Sequence, residues 1–289
     1  MTTPNNDMFR DFDSIVKSMG ELPPSPIVAT KLLELLRKPD LRIKELANAV
    51  SLDPVISARL MRMANSAFYQ QMKQISTVDR AIIVVGEDVL KNLALEYSLR
   101  NTHKTYGVME RRIWEHSIGC AVASRMIAAR LTGLDKGEAY LAGLQHHIGK
   151  VVMINRDKDL YKEVMRIVDS GEGQLRDVER GLFAYSHEMV GAALLDYWNY
   201  PKFIVEVTLY HDDFEHLFQT DRKLFILCAV LCLAGDFCRH FGVGYVAPEN
   251  LDLALSRGAL ALEANPMIID DLVEQFHPEF IKERNLFLS

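Results

Sequence analysis

The residues through which this chain could do chemistry are its histidines. There are nine, and five of them (His116, His146, His147, His187 and His211) interrupt otherwise apolar helical patterns. His116 shares a stripe with Ile113, Cys120, Ala123 and Ile127, at the spacings that place side chains on one buried face of a helix. His146 and His147 sit between the apolar stretches 141–144 and 148–154. His187 opens a helical pattern through Val190, Ala193 and Leu194, and His211 closes one that begins at Pro201. Asp236 follows directly on the apolar run from Leu224 to Gly235. A lone histidine on an apolar face is most often a satisfied core residue. Five of them with an aspartate are harder to accommodate, because each buried polar group left unpaired costs about 1–3 kcal/mol and a buried carboxylate costs more. One or two shared transition-metal ions would satisfy the whole set, and imidazole with carboxylate suits iron, manganese, nickel or zinc without distinguishing them. Consecutive side chains on a continuous helix point about 100° apart. His146 and His147 are therefore expected to serve one cluster only at its edge.

The elements that must position these residues are helical almost throughout, with no alternating strand pattern, so an all-α fold is expected. The spacing predicts helices over 7–19 and 27–37, separated by the stiff segment Leu22-Pro-Pro-Ser-Pro26, where successive prolines exclude helix. Further helices are predicted over 43–50, from Asp53-Pro54 to about Asn65, over 77–85 and over 87–99. Asp53 caps free amides and Pro54 suits a first turn. Downstream, helices are expected to start near Val108, Asp135, Asp157, Asp177, His187, Pro201 and Asp221. Two more are expected over 249–262 and 266–275. The polar stretch 100–107 divides the chain into an N-terminal helical lobe, 1–105, and a second helical lobe, 106–289.

Composition narrows the function classes. The chain has 289 residues, 49% apolar and 25% charged, the balance of a globular protein with a substantial core. Lysine and arginine number 33 against 39 acids, for a net charge of −6, which argues against coating a phosphate backbone. The four cysteines lack CxxC spacing and lie in apolar helical surroundings, as buried free thiols of a reducing cytoplasm do. The first twenty residues are unlike a secretory signal. The apolar run at 224–235 is 12 residues, short of the roughly 20 that span a bilayer, and reads as a core helix with no membrane role.

Two other patterns could suggest function. The helices around 43–65 have the outline of a helix-turn-helix, which would offer Arg59, Arg62 and Asn65 to a major groove. The second helix also carries Val55, Ile56, Leu60, Met61 and Met63, so much of its surface belongs in a core, and DNA binding is not expected. Gly242-Val243-Gly244 lacks the strand-turn-helix context of a nucleotide loop and reads as a helix stop.

The segment Leu141-Ala-Gly-Leu-Gln-His-His-Ile-Gly-Lys150 resembles the signature of the HD superfamily of metal-dependent phosphohydrolases. The chain as a whole resembles the HD-related output domain (HDOD) family over roughly residues 18–240. The features shared are Leu22 to Pro26, Ser51-Leu-Asp-Pro54, Arg59 to Phe68, Ile75 to Gly86, Ile113-Trp-Glu-His-Ser117, and Tyr185 to Trp198 with Pro201. The resemblance implies an N-terminal helical bundle followed by an HD-like lobe. In catalytic HD relatives, notably the HD-GYP cyclic-di-GMP phosphodiesterases, metal ligands come in a set order. His116, His146, His147, His187, His211 and Asp236 fall in that order here. Lys150 matches a lysine that lies near substrate phosphate in those relatives, so it would act in catalysis only if the chain is active.

Two departures bear on activity. His147 stands where the signature has a bridging aspartate, and a neutral imidazole offers one lone pair to one metal. Tyr210-His211, followed by Asp212, stands where those relatives have a histidine pair. Most HDOD members are held to have lost catalysis and to serve as regulatory modules in bacterial signalling. The resemblance therefore implies a signal-transduction module with a retained metal site, acting on an unidentified signalling protein. The alternative is a metal-dependent phosphohydrolase acting on a nucleotide or cyclic dinucleotide.

Overall fold

The computed structural model describes residues 40–69, 73–90 and 107–288, apart from 199 and 246, together with 28, 31, 34, 35, 38 and 93. The helices expected over 7–19 and 27–37, the proline segment 22–26, the later part of 87–99 and the boundary at 100–106 lie wholly or largely outside the described residues.

Among the described residues the fold is all-α, without a strand. Helix α1 is Ile43–Ser51, α2 Pro54–Ala64, α3 Val78–Val85 and α4 Val108–Leu131. Then follow α5 Lys136–Gln145, α6 Ile148–Arg156, α7 Lys158–Asp169, α8 Leu175–Phe183, α9 His187–Tyr197 and α10 Lys202–Tyr210. The last three are α11 Arg222–Phe241, α12 Arg257–Ala261 and α13 Pro266–Leu288. Aspartates set several starts. Asp53, Asp135, Asp157 and Asp221 each accept one or two of the free first-turn amides of α2, α5, α7 and α11, at 2.8–3.0 Å. Gly242, at φ +69°, stops α11 in the left-handed conformation.

Helix α4 is the spine, packed along α5, α11 and α13, while α9 packs on α6 and α10. Helix α11 has the length and composition to cross a membrane, but 67% of its most apolar window is buried inside the protein. The N-terminal helices meet this body through α5. Gln145 Nε2 donates to the Pro54 carbonyl at 3.0 Å and to Ser57 Oγ at 2.8 Å, and Tyr140 Oη donates to the Ser51 carbonyl at 3.4 Å.

Three expectations need correction. The apolar stretch 141–154 is not one helix, because the chain leaves helical geometry at His147 (φ −101°, ψ 14°) and restarts as α6. The stretch 249–262 is an irregular segment, a short 3-10 turn at Leu253–Leu255 and the brief α12. The last helix does not end near 275 but continues to Leu288 with Pro278 inside it.

Helix α2 is committed to the interior, with Val55, Ile56, Leu60 and Met61 buried. Asn65 exchanges two hydrogen bonds with the backbone of Ile75, at 2.7 and 3.0 Å. Arg62 lies over the Tyr197 ring at 5.5 Å.

Candidate metal centre

Five helices deliver the five histidines to one place. His116 comes from α4, His146 from the end of α5, His147 from the start of α6, His187 from the first turn of α9, and His211 from the end of α10. All five are buried. The break at 146–147 decides the geometry. The two rings lie 3.8 Å apart between centroids and 31° apart in plane, so both face the cluster instead of diverging at its edge. His147 stacks on His116 at 4.8 Å and approaches His187 at 5.1 Å and His211 at 5.3 Å. His146 meets His211 at 5.0 Å.

Close backbone packing brings α6 and α9 together. A Cβ at Gly149 would stand 1.9 Å from the His187 carbonyl oxygen and 2.7 Å from the Gly191 nitrogen. Only glycine allows that approach, which holds His147 and His187 within reach of one another.

Three rings are held in the same tautomer by separate acceptors. His146 Nδ1 donates to the Gly143 carbonyl at 2.8 Å, His211 Nδ1 to the Thr208 carbonyl at 2.9 Å, and His187 Nδ1 to Glu179 Oε2 at 2.7 Å. Each therefore keeps its lone pair on Nε2. The Nε2 atoms of His187 and His211 are buried with no hydrogen-bond partner. A ring whose far nitrogen donates to a carbonyl or carboxylate, with the near one free, is the arrangement that metal-binding histidines adopt. Single donor atoms from His147, His187 and His211 lie within 4.8 Å of one another, as do those of His116, His146 and His147. The donor set fits a transition-metal ion.

Burial disfavours the charged form of two of the rings. Burial, then the neighbouring His146, Lys150 and His116, push His147 well below the usual histidine range. Burial also lowers His211 to about 4, despite the opposing pull of Asp212. Acids surround the cluster. Burial opposes charge on Glu188, but His187 and His211 outweigh it and lower its carboxyl to about 2. Asp212 is lowered in the same way, with burial overcome by His211 and His187.

Glu179 was not singled out from sequence. It is fully buried, accepts from the His187 backbone N–H at 2.9 Å as well as from its ring, and takes a hydrogen bond from Tyr161 Oη at 3.0 Å. Its signal was present, since it occupies the stripe of Leu175, Val178 and Phe183 on the amphipathic α8. Glu188 and Asp212 each adjoin a candidate histidine in sequence. Their sequence positions alone do not show that they close around the cluster.

Asp236 stands apart. It lines the same cavity of about 630 Å³ as His116, His146, His147 and His211. Its carboxylate is engaged by Arg239, one turn along α11, and it joins none of the close donor groups among the described residues. Lys150 also lines this cavity and donates from Nζ to His147 Nε2 at 3.2 Å. Burial lowers its pKa against the pull of Glu179, Asp212 and Glu188.

The comparisons with known proteins agree with this arrangement at the level of fold. The fold is similar to that of the MmoQ response regulator from Methylococcus capsulatus str. Bath, with a TM-score of 0.72 and 23% identity, covering 88% of this chain and 98% of that one. It is similar to a virulence factor from Campylobacter jejuni, with a TM-score of 0.71 and 18% identity over 96% and 98% of the two chains. It is also similar to an HDOD domain protein of unknown function from Geobacter sulfurreducens, with a TM-score of 0.57 and 26% identity over 98% of each. An uncharacterized protein of Treponema pallidum is 22% identical over 208 residues, which are 70% of this chain and 40% of that protein, so the chain spans less than half of that relative's length. Residues 22–214, about two thirds of the sequence, match the HDOD domain, and the chain belongs to the HDOD family.

Proposed function

We propose that this chain is a bacterial signal-transduction module that holds a transition-metal ion and acts by binding a signalling protein. The observation that carries the reading is the pair of buried Nε2 atoms without hydrogen-bond partners on His187 and His211, each ring fixed by an acceptor behind it. His187 and His211 would hold the ion, with His146 beside them, and His147 would join by releasing Lys150. Asp236 would join only by leaving Arg239. Such an ion would tie α6, α9 and α10 together, and Gln145 would link that junction to the N-terminal helices. The fold shared with a response regulator supports a signalling role. The burial of α2 favours a protein partner over DNA.

A metal-dependent phosphohydrolase is the second reading, favoured by the cavity that opens on the histidines and is lined by Lys150, Arg239 and Arg257. A nucleotide is the ligand class that such a cavity would take. The chemistry a divalent metal supplies there is Lewis-acid polarisation of a phosphoryl oxygen. Against turnover stands His147. It offers a single lone pair where a carboxylate would bridge two ions, and its Nε2 is already engaged by Lys150.

The test is metal content and hydrolysis of a generic phosphodiester, for the wild type and His147→Asp. The expected result is a metal-loaded wild type without turnover, and a gain in bound ions for His147→Asp. Robust metal-dependent turnover by the wild type would replace the regulatory reading with the enzymatic one. A protein that stays metal-free after incubation with iron, manganese, nickel and zinc would remove the site altogether.

A further inference from the structure

A second set of donors meets where α4 crosses α11. Cys120 lies one turn beyond His116 on α4, with its Sγ 3.3 Å from His116 Nε2. Cys238 of α11 brings its Sγ to 3.7 Å from that of Cys120. The three donor atoms lie within 4.8 Å of one another, and all three residues are buried. Gly119 allows the crossing, because a Cβ there would stand 2.7 Å from Cys238 Sγ and 2.7 Å from Val243 Cγ1. Val243 belongs to the turn that follows α11, and the next aromatic, Tyr245, sits edge-on to His116 at 5.4 Å.

We propose that His116, Cys120 and Cys238 form a separate site for a thiophilic metal ion of the zinc class, distinct from the cluster around His187. The distances carry the proposal. In a tetrahedral zinc site, with Zn–S about 2.3 Å and Zn–N about 2.0–2.1 Å, neighbouring sulfurs lie about 3.8 Å apart, and nitrogen and sulfur about 3.5 Å apart. The observed 3.7 Å and 3.3 Å are within a few tenths of an ångström of those edges. Left without metal, the trio is held to one another by weak sulfur hydrogen bonds. Two thiolates with one imidazole select zinc over the oxygen-seeking magnesium, calcium or manganese. The donor set differs in kind from the imidazole cluster beside it. His116 and Tyr245 line the 630 Å³ cavity, which supplies an approach for the ion and leaves a fourth position for water. His116 is then a ligand of the thiol pair, and the histidine cluster is left with four rings.

Titration of the reduced, full-length protein with Co²⁺ tests this through thiolate-to-metal charge-transfer absorption. The absorption should develop in the wild type, persist in His187→Ala and Cys232→Ala, and be lost in Cys120→Ser and Cys238→Ser. No absorption in the wild type overturns the proposal, as does absorption that survives in both serine variants. Loss in His187→Ala as well would merge the two sites and overturn their separation. Should the serine variants fail to fold, zinc protection of the wild type decides. At a urea concentration where the metal-free protein is alkylated, Zn²⁺ should protect Cys120 and Cys238 and leave Cys232 reactive. Unchanged alkylation of Cys120 and Cys238 overturns the site.

Discussion

The two sides of the histidine cluster treat their ligand-type residues in opposite ways. On the α9 and α10 side, His187 and His211 give Nδ1–H to Glu179 and to the Thr208 carbonyl, which leaves Nε2 buried in the cluster without a hydrogen-bond partner. On the α11 side, Asp236 is as buried as His116, yet its carboxylate already has Arg239. Both sides offer buried residues of metal-binding type, but the availability of a lone pair differs. A side chain becomes a ligand when its surroundings fix its orientation and leave one polar atom unanswered. An ion pair within the same helix removes that condition.

The contrast can be broken by substitution, and the largest effect is expected at His187. His187→Ala removes a free Nε2 from the group of His147, His187 and His211 and should abolish metal retention at the cluster, measured by elemental analysis after dialysis. Retention at the wild-type level would mean that the site has been placed on the wrong side. A smaller effect is expected from Glu179→Gln, which keeps the shape but weakens the acceptor behind His187. Loss of such an outer partner costs about 10–100-fold in metal affinity, to be read from competition with a chromogenic chelator. An unchanged affinity would show that Glu179 serves folding through Tyr161 alone. The smallest effect is expected at Asp236. Asp236→Ala should change affinity by less than about tenfold, below the range for a lost outer partner. A loss as large as that of His187→Ala would erase the distinction between the two sides and make Asp236 a full ligand.

Much of the scaffold was legible because helix starts are local. An aspartate before an apolar-periodic stretch caps the same way wherever it occurs, and Asp53, Asp135, Asp157 and Asp221 all do so. The stretch 249–262 was less legible, since its apolar spacing resembled a helix while its backbone turns twice. The break at His146–His147 was hidden for the opposite reason. Every residue around it favours the core, and the helix is interrupted where α6 meets α9 at Gly149.

The sequence by itself determined an all-helical chain, the positions of most helices, and a set of imidazoles too numerous for an apolar interior to hold unpaired. Those properties follow from caps, periodicity and residue type, which act over a few positions along the chain. Only the tertiary structure decided which nitrogen of His146, His187 and His211 is tied to an acceptor, that Glu179 stands behind His187, and that Arg239 occupies Asp236. It also brought Cys238 to Cys120 across 118 positions of sequence. The physical reason is that a lone pair is directional. Its availability depends on a hydrogen-bond partner within about 3 Å, and helix packing alone determines which partner is there.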